Sequence, residues 1–461
     1  MSTKHSKAAE KFLANKAQAQ WHNETLWMVR AKRDNLSKQI PEWESLRGLA
    51  SSIKHYSNSH LDELLVEFEH NAQANGAVVH WAKDAAEYRE IVYQLLKERK
   101  VKNFVKSKSM LSEECELNPF LIEKGIDVVE TDLGECILQL MNLPPSHIVL
   151  PAIHIKREQV GELFEKELDT EKGNFDPTYL THQARHYLRD KFLQADAAMT
   201  GGNFAVASTG DVVVCTNEGN ADMGTSFPKL HIAAFGIEKI VPNSESLGVF
   251  TRLLARSATG QPITSYTTHY RKPREGAEYH IIIVDNGRSE LLANEDHVNT
   301  LNCIRCGACM NTCPVYRRSG GYSYTYFIPG PIGINLGMAK NPNKYADNVS
   351  ACTLCLSCSN VCPAMIDLGE QIYRWRQVLP KFGRASSSKK VLSSGMKYLF
   401  NHPMMFNTAL KMAPILNVMP RFIMYNGLND WGKGRELPAF AKESFNSMWK
   451  NNKVQKEANH E

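Results

Sequence analysis

Apolar positions recur at helical spacing near the start of the chain, in Trp27–Val29–Leu36 and again in Leu61–Leu64–Leu65–Phe68. That spacing predicts a helical segment over residues 1–71, with Ser59 and Asp62 placed to cap its second helix. The charged first twenty residues are expected to form a loosely held arm. From Gly76 the pattern changes. Ala77–Trp81 reads as a strand, and Asp84 caps a helix running to Arg99. Asn103–Val105 is a second strand, followed by a helix ending in Phe120–Lys124. Asp127–Thr131 is a third strand, residues 134–141 form a short helix, and His147–Leu150 reads as a fourth strand. Further strands are expected at Asp211–Cys215, Lys229–Ala234 and Tyr279–Val284. Strands alternating with helices imply βαβ units and a parallel sheet, so residues 72–290 read as one α/β domain.

Beyond that the periodicity fades. Residues 291–370 are rich in Gly, Pro and Cys, and metal rather than an apolar core is expected to fix their fold. A helix is expected from Asp367 to Val378. Residues 371–461 form a Met-rich helical region that Pro403, Pro414 and Pro420 divide into short pieces.

Composition supports a globular reading. The chain has 461 residues, 43% hydrophobic and 22% charged, which excludes disordered, collagen-like and coiled-coil classes. No run of 18 apolar residues suggests a membrane span, and the polar start lacks the apolar stretch of a secretory signal. A cytoplasmic location is therefore expected, where cysteines stay reduced. Charge is uneven. Residues 371–461 hold 15 Lys and Arg against 5 Asp and Glu, a balance of +10 in a chain of +5. Such a tail suits an anionic membrane surface or an acidic partner, or is simply a solvated face. Aromatics are not interleaved with its basic residues, so nucleic acid is not expected.

Eight of the 11 cysteines lie between Cys303 and Cys362. They form Cys303-Ile-Arg-Cys306-Gly-Ala-Cys309-Met-Asn-Thr-Cys313-Pro314 and Cys352-Thr-Leu-Cys355-Leu-Ser-Cys358-Ser-Asn-Val-Cys362-Pro363. Both fit C-x2-C-x2-C-x3-C-P, the run that binds [4Fe–4S] clusters in bacterial ferredoxins. Three thiolates on one loop reach three corners of a cuboidal cluster, while the fourth serves the other cluster. This reading assigns Cys303, Cys306, Cys309 and Cys362 to one cluster, and Cys352, Cys355, Cys358 and Cys313 to the second. Zinc closes at four ligands from paired C-x2-C units and does not match. No G-x-G-x-x-G is present. Gly427 to Lys433 matches G-x-x-x-x-G-K, but Gly434 replaces the required Ser or Thr, and no strand precedes it.

Polar groups gather at expected strand ends: Lys106-Ser-Lys108-Ser109, Glu130 to Glu135, Thr200 to Phe204, Asn217-Glu218-Gly219-Asn220 and Asp285-Asn286-Gly287-Arg288. Ligands of open α/β sheets bind outside these ends. Lys108, Asp132, Asn217, Glu218, Asp285 and Asn286 are accordingly the candidate pocket residues, with turn and cap chemistry as the alternative for each. A mononuclear metal at His147 and His154 is a lesser option, and no catalytic residue is assigned. Cys115, Cys136 and Cys215 read as ordinary buried thiols.

On these motifs the chain resembles the iron–sulfur subunit of the bacterial L-lactate utilisation system, the lactate utilisation protein B family. Lys106-Ser-Lys-Ser-Met110, Pro145 to His154, Gly236-Ile-Glu-Lys239 and the first cysteine run carry the likeness, which covers residues 20 to 450. The resemblance implies a sheet similar to those of sugar-phosphate isomerases and CoA transferases, an α-helical two-cluster ferredoxin-like domain, and helical terminal segments. It also implies companion subunits, one of them cysteine-rich and heterodisulfide-reductase-like, that together oxidise L-lactate to pyruvate and pass electrons towards the respiratory chain. The expected location is the cytoplasm, with the basic tail able to place the chain at the inner face of the cytoplasmic membrane. The alternatives are an iron–sulfur subunit of another 2-hydroxy-acid or disulfide oxidoreductase, and a redox-sensing protein that binds an acid.

Overall fold

A computed structural model describes residues 4–382, 387–425 and 438–451, and the chain divides into two compact units at residues 382 and 383. The stretch 427–433 lies outside the described residues.

Ten strands run through the first unit: β1 (Val78–Ala82), β2 (Asn103–Lys106), β3 (Asp127–Glu130), β4 (Ala197–Gly201), β5 (Phe204–Val206), β6 (Asp211–Thr216), β7 (Leu230–Gly236), β8 (Ile240–Val241), β9 (Tyr266–Tyr270) and β10 (Glu278–Val284). Six build a sheet in the order β1-β10-β7-β4-β2-β3, with every pair parallel. Its central strands carry apolar runs, as in Ile281 to Val284, because helices cover both faces. The chain steps from β2 out to β3 and then returns through β4, β7 and β10. The order therefore reverses between β2 and β4, and the carboxyl ends of those two strands open a crevice.

Two expectations change here. Residues His147–Leu150 form no strand. His147 Nδ1 accepts from the backbone N–H of both Val149 and Leu150, each at 3.0 Å, which takes the donors that a ladder would need. Asp211–Cys215 is a strand, but it belongs to a second sheet of order β8-β5-β6-β9. Its partner β5 and the small-residue strand β4 were not foreseen. Alanine and glycine carry little strand signal, yet β4 sits buried between β2 and β7.

The four N-terminal helices, Lys4–Ala14, Lys16–Lys38, Trp43–Ser59 and Leu61–Ala74, pack onto the rest of the first unit. The expected loose arm is anchored: His5 is buried and its Nδ1 bonds the Ser323 carbonyl at 3.0 Å. The cap expected from Ser59 is absent, since its hydroxyl donates to the His55 carbonyl and His60 takes the cap position.

The cysteine region also departs from expectation, because it has an apolar core. Met310, Tyr316, Ile332, Met338, Ile366 and Ile372 are buried in one cluster that includes Cys309, Cys358 and Cys362. The helix after the second cysteine run spans Leu368–Val378. In the second unit, short helices such as Ser387–Phe400 and Pro403–Met412 bury no described residue. Among the described residues no helix is long and apolar enough to cross a membrane.

The hairpin joining β5 to β6 gives a direct test of packing. Gly210 has φ +70°, and a Cβ there would lie 2.4 Å from the Ala72 nitrogen. Gly125 has a similar φ of +81° with nothing within 4 Å. Gly210→Ala is expected to cost about 2–4 kcal/mol, strain and overpacking together, and Gly125→Ala only about 1 kcal/mol. Urea unfolding of the two variants measures the difference.

Candidate functional site

The two cysteine runs fold alike, residue for residue. Arg305 and Gly307 have φ of 59° and 75°, and their counterparts Leu354 and Leu356 have 56° and 59°. Each run then enters a one-turn helix, Ala308–Thr312 or Ser357–Val361. Left-handed residues at these places turn backbone N–H groups into the loop, where they meet sulfur. Arg305 N–H approaches Cys303 Sγ at 3.4 Å, and Leu354 N–H approaches Cys352 Sγ at 3.3 Å. Tyr316 N–H does the same for Cys313 at 3.5 Å. Such bonds favour thiolate sulfur and tune a bound cluster.

Cys303, Cys306, Cys309 and Cys362 line one small internal void with Ile148, Ile332 and Ile366. Cys313 lies instead among the thiols of the second run, with Cys352 and Cys355 as its electrostatic neighbours. Among the described residues no three His, Cys, Asp or Glu converge tightly enough to hold a single metal ion. The sulfurs surround space, and eight soft donors of this kind suit iron–sulfur clusters. Burial pushes the Cys313 and Cys362 thiols up to about 11 and Cys358 up to about 12, so a bound metal has to displace their protons. The first loop is largely enclosed, whereas Cys355 and Leu356 of the second are exposed.

Basic side chains from outside the runs hold their backbone. Arg33 donates to the Val361 carbonyl at 3.2 Å. Arg47 donates to the carbonyls of Cys362 and Asn360 at 3.0 and 2.9 Å. Arg376 donates to the carbonyls of Val349 and Cys352. Lys239 Nζ reaches the Cys303 carbonyl at 3.4 Å.

A cavity of about 260 Å³ occupies the crevice between the ends of β2 and β4. Lys108, Asp132, Asn217 and Glu218 line it. Asp285 and Asn286 do not; they line a neighbouring recess that shares Glu114, Glu238, Arg288 and Arg305 with it. Their side chains have structural work. Asp285 accepts from Ser289 N and Oγ, both at 2.7 Å, and Asn286 donates to Glu114 at 2.7 Å. The two lysines of Lys106-Ser-Lys108 have different partners. Lys106 is fully buried against Glu130 at 2.6 Å, and Lys108 bonds the Val149 carbonyl at the cavity wall. Glu218 stands at the mouth. Loss of water first, and the nearby Asp132 second, push its carboxyl up to about 7. Cys215 also lines this cavity, while Cys115 and Cys136 are buried elsewhere.

The two histidines do not meet as a metal pair. His147 Nδ1 accepts two backbone N–H groups, so Nε2 carries the proton and donates to Asn311 Oδ1 at 2.9 Å. His154 is engaged by Ser146 and Tyr322 at 2.6 and 2.9 Å. Sequence reasoning missed Lys239, Arg305, Glu114 and Glu238 as cavity residues. Two signals were present: Glu238 and Lys239 close the Gly236-Ile-Glu-Lys239 motif, and Arg305 sits inside the first cysteine run.

Residues 65–291 match the model of the LUD domain, and residues 299–366 match that of the 4Fe-4S dicluster domain. The chain is 41% identical to lactate utilization protein B of Bacillus pumilus over 442 residues, covering 92% of each. It is 37% identical to the same protein of Shouchella clausii over 460 residues, covering 96% of each. It is 38% identical to the uncharacterized electron transport protein YkgF of Escherichia coli over 443 residues, covering 94% of this chain and 93% of that one. The dicluster match makes this an iron–sulfur protein.

Burial of neutral histidines sets a pH dependence. His147 and His231 are pushed down to about 3 and His154 to about 4, from an ordinary value of 6.5, chiefly by loss of water. The unfolded chain therefore binds more protons below pH 6.5. Their contribution is complete above that pH and is lost as pH falls toward the folded values, at up to about 1.4 kcal/mol per unit for each histidine. Urea unfolding at about pH 7 and about pH 5.5 measures the slope. His147→Asn is expected to flatten it by about half a proton over this interval.

Proposed function

The chain belongs to the lactate utilization protein B family, and from that premise we propose that it is the electron-transfer iron–sulfur subunit of a complex oxidising L-lactate to pyruvate. One observation carries the reading: the duplicated loops, with Cys362 of the second run lining the void of the first. The donor set fits two [4Fe–4S] clusters, one on Cys303, Cys306, Cys309 and Cys362, the other on Cys352, Cys355, Cys358 and Cys313. Bound clusters supply one-electron transfer, and two of them can take the two electrons that leave a 2-hydroxy acid. The chain's part is to position them. Backbone N–H groups of Arg305 and Leu354 meet the sulfurs, while Arg33, Arg47 and Arg376 brace the loops from behind.

The names of the relatives, lactate utilization and electron transport, support this assignment. Companion subunits complete the proposal, including a cysteine-rich, heterodisulfide-reductase-like protein. The basic final region would dock on an acidic partner or on the inner membrane surface. Its +10 balance and the exposed Met404 and Val418 favour such contact.

Anaerobic reconstitution should yield about eight irons per chain. Full activity in a zinc-loaded, iron-free preparation would overturn the assignment. Cys313→Ala should alter the EPR signal of the cluster on Cys352, Cys355 and Cys358, and Cys362→Ala that of the other. Each change affecting only its own run would exclude the crossing.

Truncation after residue 382 should leave both clusters in place and abolish co-purification with partner or membrane. In the full chain that association should weaken as salt shortens the screening length from about 10 Å to about 3 Å. Survival of both treatments would show that the tail is only a solvated face.

A further inference from the structure

The cavity at the sheet's reversal point adjoins the first cysteine loop. Arg305, from between Cys303 and Cys306, forms part of its wall, and Ile148 lines both the cavity and the void among the four thiols. At about 260 Å³ it lies just below the usual range of small-molecule sites, which begins near 300 Å³.

Its charged side chains form two groups. Asp132, Glu218 and Lys108 make one. Lys239, Arg305, Arg288, Glu114 and Glu238 make the other, and Lys54 stands behind it with its ammonium on the Glu238 carbonyl. In this second group the pairing is incomplete. Arg288 is held by Glu114 at 2.9 Å and by Glu238 at 2.5 Å. Arg305 is left 3.8 Å from Glu238, and its enclosed Nη1 has no hydrogen-bond partner. Lys239 has its carbonyl contact with Cys303 at 3.4 Å. Four cations thus face two carboxylates and the Cys303 sulfur, and Arg305 Nη1 is still left without an acceptor. An enclosed charged donor without a partner is costly, so Arg305 calls for a further anion. It stands in the cavity wall between Cys303 and Cys306, which line the thiol void.

We propose that the cavity binds a small hydroxy or oxo acid, its carboxylate taken by Arg305 and Lys239, in competition with the electron of the neighbouring cluster for the same positive charge. The second oxygen of the acid faces Glu218. This rests on the two-cluster reading for the presence of an electron nearby. An added electron makes the loop more negative and weakens its neighbour anion. By reciprocity the bound anion lowers the cluster's reduction potential. A tenfold preference for the oxidised form corresponds to a fall of about 59 mV. Loss of the product acid on reduction, or its retention after oxidation, is thereby tied to the redox state.

The test uses the full chain, reconstituted anaerobically without companion subunits. L-lactate, pyruvate and inorganic phosphate serve as separate probes. Binding is followed by calorimetry, and the potential of the first cluster by EPR-monitored titration. The expected result is that at least one of the two acids binds and lowers that potential. Arg305→Gln should abolish the shift and weaken binding about tenfold or more, as loss of a charge-assisted hydrogen bond requires. Should Arg305→Gln fail to retain iron, Lys239→Met, outside the cysteine loops, should still weaken acid binding about tenfold. The proposal is overturned if neither acid binds, if binding leaves the potential unchanged, or if Arg305→Gln keeps the full shift. Binding of phosphate and of neither acid also overturns it. Failure of the electron-transfer reading looks different: the acids bind, yet lactate with companion subunits never reduces the clusters.

Discussion

Arg288 is buried between two carboxylates, and its network ties the sheet to the cysteine loops. The arginine follows β10, Glu114 lies in the helix after β2, and Glu238 lies in the turn after β7. Three strand exits are thus tied at one guanidinium. Burial works against the Glu238 charge, yet Arg288 and its neighbours hold that carboxyl down to about 2. Removing one member would strand a buried charge, at about 3–5 kcal/mol. The same network continues to Arg305, 3.8 Å from Glu238. The geometry of the cavity and of the first cysteine loop therefore depends on one set of ion pairs.

The cysteine loops show a second dependence. Helices of one turn satisfy few of their own carbonyls, and left-handed residues turn N–H groups toward sulfur. Carbonyls left behind need donors. The N-terminal helices supply them through Arg33 and Arg47, and the helix Leu368–Val378 through Arg376. Hydrogen bonds from charged donors stabilise by about 1.5–3 kcal/mol each. The N-terminal helices are thus a brace for the iron–sulfur region as well as a cover for the sheet, and the first of them is anchored separately, through His5 on the Ser323 carbonyl.

Burial separates the two ends of the cysteine region. The first run faces Ile148 and the cavity, while Cys355 and Leu356 of the second meet solvent. The first run is thus the closed end of the cysteine region, and the second its open end. Charge and hydrogen bonding at the closed end, and water at the open end, act on the two sites differently.

Local signals determined much of this protein by themselves. Cysteine spacing specified the cluster chemistry, because three donors within seven residues can bind one cuboid whatever surrounds them. Alternating apolar runs specified a parallel sheet, and Asp84 marked its helix start. Tertiary structure decided what depends on distant neighbours. It moved Asp211 to Thr216 into a second sheet and made a strand of Ala197 to Gly201, which pairs with β2 on one side and β7 on the other. It unmade His147 to Leu150 as a strand, because a side-chain nitrogen took the backbone donors. It separated Asp285 and Asn286 from Lys108, Asp132, Asn217 and Glu218, though all six follow strand ends. It also brought Arg305 and Lys239 together across more than sixty residues of chain. Spacing along a chain records which groups share a loop; enclosed charge and its partners are set only when separate loops meet.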